Sequence, residues 1–146
     1  MGLFNPNAPL TADLNLLFQI AIFIFLVVGV SIAKFRRKFI QHGTTMAIAL
    51  VLNTISIAVV MIPSLQGFRG VLSMPFTRPA FIIVVHAAAG TLVELLGVWL
   101  VGTWAFQYPD IKACAKKRSI MLATIFLWLV ELLLGIYVYI MLYLPI

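Results

Sequence analysis

Polarity divides the chain into four long apolar runs, 14–33, 44–64, 80–104 and 119–144, separated by short polar or basic stretches. A bilayer core about 30 Å thick is crossed by roughly 20 apolar residues rising 1.5 Å each, and every run is long enough. The first two runs carry no charge, and the last two carry one acid each, Glu94 and Glu131. Stretches such as Ile20 to Val28 are apolar without a break, whereas barrel strands alternate in polarity over about ten residues. None of the runs has the polar stripe that a water-facing helix needs. Prolines fall near the ends: Pro63 is expected to close the second helix, Pro79 opens the third, and Pro109 and Pro145 follow the third and fourth. The pattern therefore predicts an all-α integral membrane protein. Four transmembrane helices joined by connections of about 10–15 residues should form one antiparallel up-down-up-down bundle spanning residues 1–146. Residues 1–13, with Pro6 and Pro9 and no basic stretch, read as a short polar tail rather than a cleavable signal.

Composition changes this picture little. Of the 146 residues, 64% are hydrophobic and 10% charged, against about 25% charged in soluble domains. Charge adds an orientation. Lys34, Arg36, Arg37 and Lys38 follow the first run, and Lys112, Lys116, Lys117 and Arg118 precede the fourth. The second connection holds only Arg69 and Arg78. The positive-inside rule puts the first and third connections in the cytoplasm and both termini outside, in a multi-pass protein of the plasma membrane. Basic clusters flanking apolar runs serve orientation, so the lipid bilayer rather than nucleic acid is the expected partner. The single cysteine, Cys114, excludes an internal disulfide and lies on the reducing side.

Ionisable or amide side chains inside the spans are costly, and they are the candidates for chemistry. Counted from the helix ends, Glu94 lies ~21 Å and Glu131 ~20 Å from the outer side, with Asn53 nearly level. Glu94, Glu131 and Asn53 are therefore expected to form one mid-membrane cluster. It would be either a proton-carrying or ligand site, or a set of interhelical hydrogen bonds. His86 shares a helical face with Ala89, Gly90, Val93, Glu94 and Gly97, so His86 and Glu94 should look into one interface. Gln19 and Tyr137 are at its level as hydrogen-bond partners, with metal or haem ligation as the alternative. His42 and Met46 are four residues apart, and Met121 enters the fourth helix at similar depth, a set suited to Cu(I). The bland alternative makes His42 an interfacial residue beside the basic connection, and the methionines gap-fillers. His42 and His86 are separated by ~25 Å along the membrane normal, too far to clamp one haem within this chain. Haem or copper would therefore need a partner subunit. No HExxH, CxxC, phosphate-binding glycine loop or nucleophile elbow is present. The second connection, with Gly67, Phe68, Gly70, Pro75 and Phe76, resembles a partner-contacting turn. Trp99, Trp104 and Tyr108 on one side, and Tyr137, Tyr139 and Tyr143 on the other, fit interfacial belts.

Several of these elements occur together: Arg36-Arg37-Lys38 followed by His42 and Met46, His86 early in the third run, Lys116-Lys117-Arg118, and Trp128, Gly135, Tyr137, Tyr139 and Met141-Leu142-Tyr143 in the fourth. In this the chain resembles the small four-helix YozB/CtaM-like membrane family, associated with maturation of haem–copper respiratory oxidases. The family's additional cytoplasmic histidine is missing here, and Glu94 and Glu131 are not among its features. The resemblance implies a non-catalytic accessory or assembly subunit of a membrane metalloenzyme complex. The host would be of haem–copper oxidase or copper monooxygenase type, and other membrane subunits would be the partners. The alternative reading is a haem- or quinone-linked electron- or proton-transfer protein using His86 and the carboxylates.

Overall fold

A computed structural model describes residues 2–4, 6–67, 77–107 and 116–144. These residues form four helices, each long and apolar enough to cross a membrane. α1 runs from Leu10 to Ser31 and continues through a π-helical turn, Ile32–Arg36. α2 runs over Phe39–Ser56, through a second π-helical turn at Ile57–Met61, and ends with Ile62–Gly67. α3 is Arg78–Phe106 and α4 is Arg118–Tyr143. No strand occurs among the described residues. The all-α class with four spans is thus as the polarity pattern predicts.

The helices outrun the apolar runs, and the reasons are local. α1 starts four residues early, directly after Pro9, because Asp13 is turned inward rather than left in water. The carboxylate of Asp13 accepts the backbone N–H groups of Leu3 and Phe4, so these two residues are held against the start of α1 instead of trailing as a tail. Pro63 does not close α2. Proline removes one rung of the helical ladder, and a π-helical turn immediately upstream is an adjustment that lets a membrane helix carry on past it. Pro79 sits in the first turn of α3, as expected. The first connection is far shorter than the 10–15 residues expected. Arg37, in the left-handed region at φ 52°, and Lys38 alone reverse the chain. Lys112, Cys114, Arg69, Gly70, Phe68, Pro75, Phe76, Tyr108, Pro109 and Pro145 lie outside the described residues.

Contacts fix an antiparallel order. Gln19 of α1 meets Asn53 and Ser56 of α2, while Gly29 meets His42 and Met46. Gly43 and Leu50 of α2 pack on Trp104 and Gly97 of α3. His86 and Gly90 of α3 meet Gly135 and Glu131 of α4, and Tyr139 of α4 returns to Asp13 of α1. The bundle is therefore a ring in chain order. One end carries the basic segments and the other carries the chain termini.

The outward faces are apolar: Ile24, Val59, Phe81, Leu95, Phe126 and Leu133 are each more than half exposed. The inward faces hold Asp13, Gln19, Asn53, Ser56, Thr124 and Glu131. Apolar outside and polar inside is the arrangement that lipid, not water, selects. Midway along the bundle Ile22 and Leu26 of α1, Ala49 of α2, Val93 of α3 and Trp128 of α4 pack into one buried layer. That layer separates two cavities.

Candidate functional site

The half of the bundle nearest the termini is tied together by polar side chains at every helix–helix contact. Between α1 and α2, Gln19 Nε2 donates to Asn53 Oδ1 at 3.3 Å and to Ser56 Oγ at 3.4 Å, and Ser56 donates to Asn15. Between α2 and α3, Asn53 Nδ2 donates to Glu94 Oε2 at 3.0 Å, and the Thr54 hydroxyl binds the other carboxylate oxygen. A hydrogen-bonded chain thus crosses three helices from Asn15 to Glu94. Between α3 and α4, His86 Nε2 lies 3.8 Å from Glu131 Oε1. Between α4 and α1, the Tyr139 hydroxyl donates to Asp13 Oδ1.

These ties surround a cavity of about 240 Å³. It extends from Ala12, Leu65 and Tyr143 near the termini down to Gly90 and Glu131, above the buried layer. All four helices contribute to its walls, including Ile57, Val60 and Met61 of the π-helical turn. Such turns recur at functional sites because they displace one wall residue relative to a regular helix. Glu131, only 2% exposed, stands at the foot. Gly90 leaves room for its carboxylate: a Cβ there would sit 3.5 Å from Oε1. Gly135 does the same for the imidazole of His86, at 3.1 Å. Among the described residues, three side chains on the cavity wall bear buried polar atoms without a hydrogen-bond partner: Gln19 Oε1, His86 Nδ1 and Glu131 Oε2.

The expected three-residue cluster is only partly formed. Asn53 does meet Glu94, but Glu131 does not join them, and its Oε2 has no hydrogen-bond partner. Helix rotation separates the acids. Glu94 turns to α2, and Glu131 packs one turn nearer the termini, against Gly90. His86 and Glu94 likewise do not share an interface. The small-residue face of α3 is divided, with His86 and Gly90 against α4 and Gly97 against α2. Gln19 and Tyr137 are not partners of His86 either. Gln19 is bound to Asn53 and Ser56, and Tyr137 is more than half exposed.

The half nearest the basic segments is built differently. Gly29 gathers two groups there: its carbonyl lies 2.9 Å from His42 Nδ1, and its missing Cβ makes room for the end of Met46. His42 is therefore half-buried and held against α1. The face of Gly43 is covered by the indole of Trp104. A smaller cavity of about 80 Å³ is lined by His42, Met46 and Met121 together with Trp104, Thr124 and Trp128. The soft-donor set is thus on one cavity wall, and its imidazole Nδ1 is engaged with a backbone carbonyl. Lys117 caps this end, donating to Gln107 Oε1 at 3.2 Å and lying over the ring of Trp99. Lys34, Arg36, Arg37, Lys38, Lys116 and Arg118 are exposed around it. His42 and His86 line different cavities, in keeping with their predicted separation in depth. Among the described residues no three His, Cys, Asp or Glu side chains gather as metal ligands.

Asp13, Asn15, Thr54, Ser56 and Tyr139 are site residues that sequence reasoning passed over. Asp13 precedes the apolar run, where a charge is expected to face water. The hydroxyl residues carry no cost large enough to stand out in an apolar segment, because each can bond to its own helix backbone, as Thr54 also does to Leu50. Comparison with family models, curated proteins and solved structures gives no match to this chain.

Proposed function

We propose that the protein is a non-catalytic component of a membrane-embedded electron-transfer assembly, and that its own contribution is to hold and pass a proton at His86 and Glu131. In this reading it sits in the plasma membrane with the basic end in the cytoplasm, so the larger cavity faces outward. The observation that carries the reading is the His86–Glu131 pair at the foot of that cavity. An intramembrane carboxylate beside an imidazole is expensive to keep, and such pairs mark proton relays. At 3.8 Å, a small rotation of either side chain brings Nε2 and Oε1 within hydrogen-bonding distance, so a proton can be exchanged between them. Glu94, by contrast, has both oxygens engaged by Asn53 and Thr54 and serves as a structural tie. Below Glu131 the packed layer of Ile22, Leu26, Ala49, Val93 and Trp128 stands between this cavity and the one at the basic end. The arrangement is therefore a store or an exchange point rather than a channel. The accessory role implied by the YozB/CtaM-like resemblance is compatible with this, since a proton store works for a redox centre on a neighbouring subunit.

Infrared difference spectroscopy on proteoliposomes tests the proposal. A carboxyl band absent from Glu131→Gln should shift in D₂O and respond to a pH change applied on the outer side. A Glu131 band indifferent to both would overturn it.

A further inference from the structure

The three unpartnered polar atoms around the larger cavity share one character. Gln19 Oε1 is an acceptor. When Nε2 of His86 carries its proton towards Glu131, Nδ1 presents a lone pair. Glu131 Oε2 accepts as well once that acid has passed its proton on. All three are buried without a partner on side chains that line the same cavity. Buried polar atoms are ordinarily satisfied, and each one left unmade carries a penalty. A ligand that supplies hydrogen-bond donors would remove that penalty.

Placement narrows the ligand further. Gln19 belongs to α1, whereas His86 and Glu131 belong to α3 and α4, so the acceptors come from different helices around the cavity. The walls between them are mostly apolar, with Leu16, Ile57, Ile83, Leu132 and Ile136. Sites for drug-sized molecules occupy roughly 300–1,000 Å³, so about 240 Å³ admits one ring and excludes a porphyrin. A flat apolar ring with hydroxyl donors at opposite edges meets all of these demands.

Building on the proton-holding reading above, we propose that this cavity binds the head group of a quinol, its hydroxyls donating to Gln19 Oε1 on one side and to His86 Nδ1 or Glu131 Oε2 on the other. The oxidised quinone has carbonyl acceptors in place of donors and meets the same acceptors unfavourably. The site therefore favours the reduced form. The His86–Glu131 pair is then the group that exchanges a proton with the bound hydroxyl.

The test uses the full chain in nanodiscs, with a short-chain benzoquinol and its dimethyl ether as probes, read by calorimetry. The ether keeps the ring and removes both donors. The quinol should bind saturably and the ether about tenfold or more weakly, as expected for lost bonds to buried acceptors. Glu131→Gln should narrow that gap. Ala87→Leu, which adds bulk to the cavity wall without removing a polar group, should weaken both probes alike. Equal binding of quinol and ether overturns the proposal, as does absence of saturable binding, which would mean that water alone satisfies the three atoms. The infrared response of Glu131 is measured without either probe. A responsive Glu131 with no quinol binding would therefore remove this inference and leave the proton-holding reading standing.

Discussion

The two halves of the bundle solve the same packing problem with different chemistry. Towards the termini, each neighbouring pair of helices is joined by polar side chains, and the helices stand far enough apart to enclose about 240 Å³. Towards the basic segments, glycines let the helices close in: Gly29 receives Met46, Gly43 receives Trp104 and Gly97 receives Leu50. The enclosed space there falls to about 80 Å³. In lipid there is no hydrophobic gain from bringing helices together, so association relies on close packing and on interhelical hydrogen bonds. The basic half relies mainly on the first device, with His42 on the Gly29 carbonyl as a polar tie beside it, and the half towards the termini mainly on the second. Close packing gives rigidity, while polar ties at a distance leave a lined space that can do chemistry.

The comparison is most severely tested at Gly43. A Cβ there would lie 2.1 Å from one ring atom of Trp104 and under 3 Å from two more. An indole cannot bend away as a methionine end can, so Gly43→Ala should cost about 3 kcal/mol, at the top of the usual overpacking range. Unfolding in mixed micelles would measure it. A cost near zero would show that this end is not closely packed. In the other half the matching change is Asn53→Leu, which leaves Gln19 Nε2 with only Ser56 and strips Glu94 of one donor. Membrane hydrogen bonds are individually modest, so the expected loss is about 1 kcal/mol by the same assay.

How much of this could be read from the residues follows from the same contrast. Helix number and class were legible because crossing lipid requires a length of apolar chain, and length is countable. Depth is countable for the same reason: His42 and His86 line different cavities, and His42, Met46 and Met121 line one. Rotation was not. Each helix is apolar on nearly every side, so the sequence has no wet face from which to measure an angle. For that reason counting along the chain sets Glu131 beside Glu94 when it stands beside His86, and singles out Tyr137 when Tyr139 makes the interhelical bond. Asp13 was hidden for a different reason. Besides the Tyr139 hydroxyl, its partners are the backbone amides of Leu3 and Phe4, which every sequence has and no pattern marks.

Asp13 offers the next test of the difference between the halves. It joins α4 to α1 through Tyr139 and anchors the residues that precede α1. Asp13→Ala should raise amide hydrogen exchange at Leu3 and Phe4 and along the first turn of α1. The half packed around Gly43 should keep its protection, because no bond of Asp13 reaches it. Exchange rising equally at both ends would mean that the halves unfold as one unit.

The smallest expected effect on stability is the most informative about function. Gly90 faces Glu131, but a Cβ there would meet its Oε1 at 3.5 Å, an ordinary van der Waals separation. Gly90→Ala should therefore change stability by no more than about 0.5 kcal/mol, and the better helix propensity of alanine works in its favour. The added methyl nevertheless occupies the foot of the larger cavity, where His86 and Glu131 meet. It should slow the D₂O response of the Glu131 carboxyl band while the protein melts as before. The corresponding change in the other half, Gly97→Ala, pushes only on the movable end of Leu50, at 2.8 Å, and should leave that band untouched. If the two variants behave alike in the infrared, access to Glu131 does not run through the larger cavity, and the functional distinction between the halves fails even though the structural one holds.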